Sequence, residues 1–126
     1  MKLWLDDVRP APDGYVWLKS VNEARAYIIK NEDLAYEYYS LSCRKFDKGD
    51  EVGFFDYLDS GSKHLCEVID IDHDAGDYAY DGGDYIKLLD WLEETGRNYP
   101  IHIHSMNPVG VENMRRIIQK NGWKEV

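Results

Sequence analysis

Three short polar clusters stand in this sequence, each directly after an apolar run. Asp6-Asp7 follows Leu3-Trp4-Leu5, Asp72-His73-Asp74 follows Val68 to Ile71, and His104-Ser105, with Asn107 beyond, follows Ile101-His102-Ile103. Carboxylates gathered within a few ångströms cannot all ionise without a counter-charge. A hard divalent cation held by oxygen ligands relieves the repulsion and leaves positions for water and phosphate. Asp6, Asp7, Asp72 and Asp74 are therefore the candidate ligands of a divalent cation, Mg²⁺ first, with Mn²⁺ or Ca²⁺ as alternatives. His73 and His104 are the candidate proton carriers, because a neutral and a protonated imidazole near neutrality suit acid–base cleavage of a phosphoester. Arg9, Ser105 and Asn107 are the candidates for holding the phosphate. Plainer uses compete: a strand-end Asp is also a turn former or helix cap, and His102, on the same side of its strand as His104, could pair with a buried acid.

Two other motifs overlap the second cluster. Asp70-Ile71-Asp72-His73-Asp74 has the start of a calcium loop, but Ala75 stands where the loop needs Gly and Asp81 where it needs Glu, which rejects an EF-hand. The Asp-x-Asp of haloacid dehalogenase-type phosphatases, with Asp72 as nucleophile, remains an alternative without a later acidic pair to complete it.

The elements that would position these residues alternate. Short strands are expected at residues 3–5, 15–19, 68–71 and 101–104, with a marginal edge strand at 123–126. Ser20 and Glu23 form a capping box opening a helix with Val21, Ala24, Tyr27 and Ile28 on one face, fading near Asn31. Asp84 is placed to cap a helix carrying Tyr85, Leu88, Leu89 and Leu92, and a last helix carries Val111, Met114, Ile117 and Ile118. Such alternation implies right-handed crossovers and a mainly parallel sheet, whose ligands bind beyond the carboxyl ends of the strands. Residues 34–64, with Tyr and Phe in partial alternation around the turn signal Asp47-Lys48-Gly49-Asp50, read as a β-hairpin insertion, closed by a loop at 59–62. Its aromatics could stack bases, pack on the domain or bury a homodimer contact.

The chain of 126 residues is read as one domain, 1–126, with the insertion inside it. Against 15 basic residues stand 24 acidic ones, a net charge of −9. That argues against an extended nucleic-acid surface and against anionic membranes. It leaves room for a phosphate-containing small molecule or an RNA end. No apolar run is long enough to span a bilayer, and the N-terminus turns acidic after five residues, so the expectation is a cytoplasmic protein with Cys43 and Cys66 as free thiols.

Leu3-Trp4-Leu5-Asp6-Asp7-Val8-Arg9-Pro10-Ala11-Pro12, Asp72-His73-Asp74 and His102-Ile103-His104-Ser105-Met106-Asn107-Pro108-Val109-Gly110 together resemble the cyclic-phosphate processing receiver-like domains. The resemblance covers about residues 1–31 and 67–121. It implies a flavodoxin-like, receiver-like parallel α/β sheet of order 2-1-3-4-5, with helices on both faces and the first receiver helix missing. Asp6 and Asp7 would match the receiver acidic pair, Asp72 the phospho-acceptor position and Ser105 the hydroxyl position. His73, His104 and Asn107 are the additions that mark this family. The receiver lysine has only Lys124 as a candidate, and a fifth helix is missing. The function implied is a metal-dependent phosphoesterase acting on a cyclic phosphate of a nucleotide or RNA end. The alternative is a non-catalytic receiver-like module that binds a phosphate ligand or a protein partner.

Overall fold

The computed structural model describes all residues, Met1–Val126. The chain forms two compact units, one from Met1–Ala26 with Cys66–Val126, the other from Tyr27–Leu65. No helix is long and apolar enough to cross a membrane, and both cysteines are free thiols.

The first unit holds four parallel strands, β1 (Lys2–Leu5), β2 (Tyr15–Leu18), β3 (Val68–Ile71) and β4 (Ile101–Ile103), in the order β2-β1-β3-β4. This is the expected receiver-like sheet. The fifth position is reduced to one parallel bridge between Ile101 and Glu125, and Lys124 beside it is exposed.

Alternation divides the sheet into two unlike faces. Leu3, Leu5, Leu18, Ile69, Ile71 and Ile101 share one face and are all buried. The helical crossovers after β2, β3 and β4 all run in the same direction across the sheet, so right-handedness stacks their helices on this face. Among them are α3 (Ile86–Glu94), burying Leu88, Leu89 and Leu92, and α4 (Pro108–Asn121), burying Met114 and Ile118. The register lines up Trp17, Trp4, Asp70 and His102 across the other face. The second helical layer expected there is absent from this unit: residues 6–14, between β1 and β2, form a loop, and residues 122–126 carry no helix.

The helix α1 (Val21–Asp47) begins in the first unit at the expected capping box. The Ser20 hydroxyl accepts from the Glu23 amide at 3.0 Å, while the Glu23 carboxylate accepts from Lys19 N, one residue earlier than the motif requires. Asp84 does not cap α3: its carboxylate accepts from the Ala75 amide instead, and Tyr85 holds the cap position.

The β-hairpin expectation for 34–64 is wrong. The second unit is a helical hairpin made of the rest of α1, which continues past Asn31 to Asp47, and α2 (Glu51–Ser62). The turn signal itself is correct. Gly49 takes φ +74°, which a side chain would strain, and Asp50 caps α2 by accepting from Gly53 N at 2.9 Å. Gly61, read as part of a closing loop, lies in the last turn of α2. A Cβ there would sit 2.9 Å from that of Tyr38, so its lack of one lets the helices approach closely. Tyr38 also stacks on His64, which meets Asn31 at 2.8 Å.

Candidate functional site

The carboxyl ends of β1, β3 and β4 gather the polar clusters. Asp6, the residue after β1, is 1% exposed. Its Oδ1 accepts from the amides of Val8 (2.9 Å) and Arg9 (2.7 Å), and its Oδ2 lies 3.0 Å from His104 Nε2. Trp17 donates its indole N–H to the Asp6 carbonyl. Burial raises the Asp6 carboxyl, but the two amides and His104 outweigh it, and the group stands below the ordinary aspartate value.

His104 lies between two acids. Its Nδ1 is 2.5 Å from Asp70 Oδ1, opposite the Nε2 contact with Asp6. Its ring is stacked on Trp4, with centroids 3.8 Å apart and planes within 4°. Burial favours the neutral imidazole, but the hydrogen bonds and charges of Asp70 and Asp6 outweigh it and raise the affinity for a proton above the ordinary histidine value.

Asp72 follows β3, with its amide on the Leu5 carbonyl and its Oδ1 accepting from the His73 amide at 2.7 Å. Its ligand atom, one from Asp6 and one from His104 lie within 4.8 Å of one another. This donor set offers two carboxylate oxygens and an imidazole nitrogen. Asp7 is outside that set. Its carboxylate lies against Gly76, at φ +53°, where a Cβ would collide with it. Burial and the charges of Asp6, Asp72 and Asp77 raise the Asp7 carboxyl above its ordinary value. Burial and the same field, from Asp7, Asp6 and Asp72, push the Tyr85 hydroxyl far up; it donates to the Lys19 carbonyl at 2.7 Å.

His73 and Asp74 fall in a second group, with Asp84, whose ligand atoms also lie within 4.8 Å of one another. His73 Nδ1 is 2.9 Å from Asp74 Oδ1, and the Asn107 side-chain amide lies 3.4 Å from the same nitrogen. The imidazole leans on Gly110, where a Cβ would strike the ring. Asn107 caps α4 by accepting from Gly110 N at 3.0 Å, and the Ser105 hydroxyl accepts from Asn107 N at 3.1 Å. Arg9 is exposed and is tied in through its backbone, whose carbonyl accepts from the Trp4 indole.

The residues expected at the site thus divide. Asp6, Asp72 and His104 come together, while His73 and Asp74 form a neighbouring group, so the two imidazoles expected to act as one pair belong to different sets of contacts. His102 meets the Val126 carbonyl at 2.6 Å instead of an acid. Sequence reasoning missed Asp70, Trp4 and Asp84. Asp70 had a signal: an acid between Ile69 and Ile71 in a core strand must find a partner when buried. Trp4 and Asp84 had none, because a ring stack and a loop contact depend on neighbours distant in sequence.

No curated protein and no solved structure matches the chain. The family model for the cyclic-phosphate processing receiver domain matches residues 1–120, running through the helical hairpin. With the parallel sheet and the acid-lined strand ends in place, that match over nearly the whole length makes this chain a member of the cyclic-phosphate processing receiver domain family.

Proposed function

We propose that this domain is a metal-dependent phosphoesterase that opens a cyclic phosphate. The observation that carries the reading is the division of labour around His104. Asp6 Oδ1 is taken up by backbone amides and His104 Nδ1 by Asp70, while Asp6 Oδ2 and His104 Nε2 meet each other at 3.0 Å, and Asp6, His104 and Asp72 each offer one ligand atom within 4.8 Å of the others. A metal-binding imidazole commonly gives its other nitrogen to a carboxylate, which fixes the ring and the tautomer. The donor set therefore fits a divalent cation, and its nitrogen favours Mn²⁺ over Mg²⁺ or Ca²⁺. When bound, the cation would neutralise phosphate oxygens and lower the pKa of a bound water.

In hydrolysis a water gives up a proton as its oxygen joins phosphorus, one ring P–O bond breaks, and the freed oxygen takes a proton, so that none is gained or lost overall. His73 is assigned that proton transfer, with Asp74 on Nδ1 setting the ring and Nε2 left for exchange. Asn107 holds the α4 terminus against that ring, and Ser105 and Arg9 are assigned to phosphate oxygens. His104 is assigned to ligation, in place of a second proton carrier.

The test is turnover of 2′,3′-cyclic and 3′,5′-cyclic nucleotides with Mn²⁺, Mg²⁺ or Ca²⁺. His73→Ala should lower the rate roughly a hundredfold or more, in the range of general acid–base groups. Asp72→Asn should lose metal affinity by calorimetry. A protein that binds cyclic nucleotides and turns none over refutes the catalytic reading and leaves a binding module.

A further inference from the structure

Trp4 touches the phosphate site twice, once with its ring face and once with its N–H. It stands in β1 level with Trp17 on β2 and Asp70 on β3, and Asp70 is level in turn with His102 on β4. Residues two apart on an extended chain point to the same side, so His104, just past β4, comes to that side as well. The indole stacks on the His104 ring, with centroids 3.8 Å apart and planes within 4°. Its N–H is donated to the Arg9 carbonyl at 2.9 Å. Tyr15 meets the indole edge-on, with centroids 6.0 Å apart, an arrangement that aromatic quadrupoles favour. The buried core of this unit is built on Leu3 and Leu5, on the opposite face, and Trp4 is only half-buried. Filling the core therefore does not account for a tryptophan here.

We propose that Trp4 is the positioning residue of the phosphate site, its face orienting His104 toward the cation and its N–H orienting Arg9 toward the phosphate. The proposal rests on His104 being a cation ligand and Arg9 a phosphate contact. The face is needed because of what ligation removes. Without metal both ring nitrogens are tied, Nδ1 to Asp70 and Nε2 to Asp6. A cation at Nε2 takes the place of the Asp6 contact, and Asp70 alone then holds one edge. A single hydrogen bond leaves a ring free to tilt about its line. The stacked indole resists that tilt, because turning either ring gives up the contact between them. The N–H acts on a different group. Residues 6–14 form a loop with no helix to hold them. Its start is held at Asp6, whose carbonyl accepts from the Trp17 indole and whose Oδ1 accepts from the amides of Val8 and Arg9. Arg9 is thus fixed at its amide by Asp6 and at its carbonyl by Trp4. Its side chain is exposed, so the backbone sets the direction in which the guanidinium leaves the loop.

The experiment compares two substitutions by Mn²⁺ calorimetry and by turnover of a 2′,3′-cyclic nucleotide. Trp4→Phe keeps a ring on His104 and deletes the N–H. Its Mn²⁺ affinity should stay close to wild type while KM rises severalfold and kcat changes less, the pattern of lost ground-state binding. Trp4→Leu deletes the ring as well. It should lose about tenfold in Mn²⁺ affinity, the low end for partners that orient a metal-binding imidazole, and raise KM too. Trp4→Ile, whose branched side chain suits a strand, takes its place if Trp4→Leu fails to fold. The stack is also visible without metal: the indole ring current should shield the ring protons of His104, and Trp4→Leu should abolish that shift. Equal Mn²⁺ affinity in wild type and Trp4→Leu overturns the role of the face, and equal KM in wild type and Trp4→Phe overturns the role of the N–H. A wild type that binds Mn²⁺ and turns nothing over refutes the hydrolase alone, and the nucleotide Kd then replaces KM in the same comparison. A wild type that binds no Mn²⁺ overturns both.

Discussion

Replacing Asp70 by Asn separates the charge of this buried acid from its shape. Asp70 is 7% exposed, its carboxylate is 2.5 Å from His104 Nδ1, and the far nitrogen of that ring is 3.0 Å from Asp6. The Asn oxygen still accepts a hydrogen bond, so the loss is the charge-assisted part, about 2 kcal/mol for a group of this burial. For a domain of this size that is a fall in Tm of about 6–10 °C. The pH dependence follows from the raised proton affinity of His104. A group whose folded pKa is raised stabilises fully below its unfolded value, about 6.5, and loses that contribution as pH rises through the folded pKa. The penalty of Asp70→Asn should therefore be largest at mildly acid pH and shrink in alkali. It does not vanish there, because neutral His104 still donates to Asp70. Urea unfolding of both proteins with chelator present, at about pH 6 and about pH 9, measures the difference. An equal penalty at the two pH values, or none at either, refutes the account of His104 as a proton-bearing ring between two acids.

Gly110→Ala should destabilise by about 1 kcal/mol, because overpacking against the His73 ring exceeds the helix-propensity gain; an unchanged or raised Tm would show that the ring moves aside freely. Asp81, held low by the Ser20 hydroxyl and the Asn22 amide, stabilises above the ordinary aspartate value of 3.8 and loses that contribution as pH falls. Asp81→Ala should accordingly melt below the wild type at neutral pH, with the gap closing in acid, and a gap constant down to about pH 3 would refute the linkage. Replacing residues 34–60 by a short Gly/Ser linker should leave a cooperatively folding first unit, since loop closure changes slowly with length; a product without a cooperative transition would mean that the first unit depends on the hairpin.

The local signals in the sequence determined the strand ends. Largely apolar runs of three or four residues followed by Asp6-Asp7, Asp72 and His104 place the strand ends to within a residue, and Ser20 with Glu23 fixes where a helix starts. Since parallel strands present their carboxyl ends to one edge, the acids had to gather there once the alternation was recognised. The hairpin was not legible in the same way. Tyr36, Tyr38 and Tyr39 fit both a two-residue and a 3.5-residue period, and aromatic residues favour strands, so local preference pointed to β where helix–helix packing at Gly61 decided for α. The partition of the site was also tertiary. Which acid meets which imidazole depends on the register of β3 against β4 and on Trp4 reaching under the His104 ring. Those contacts join residues 34 and about a hundred positions apart, and no spacing along the chain encodes them.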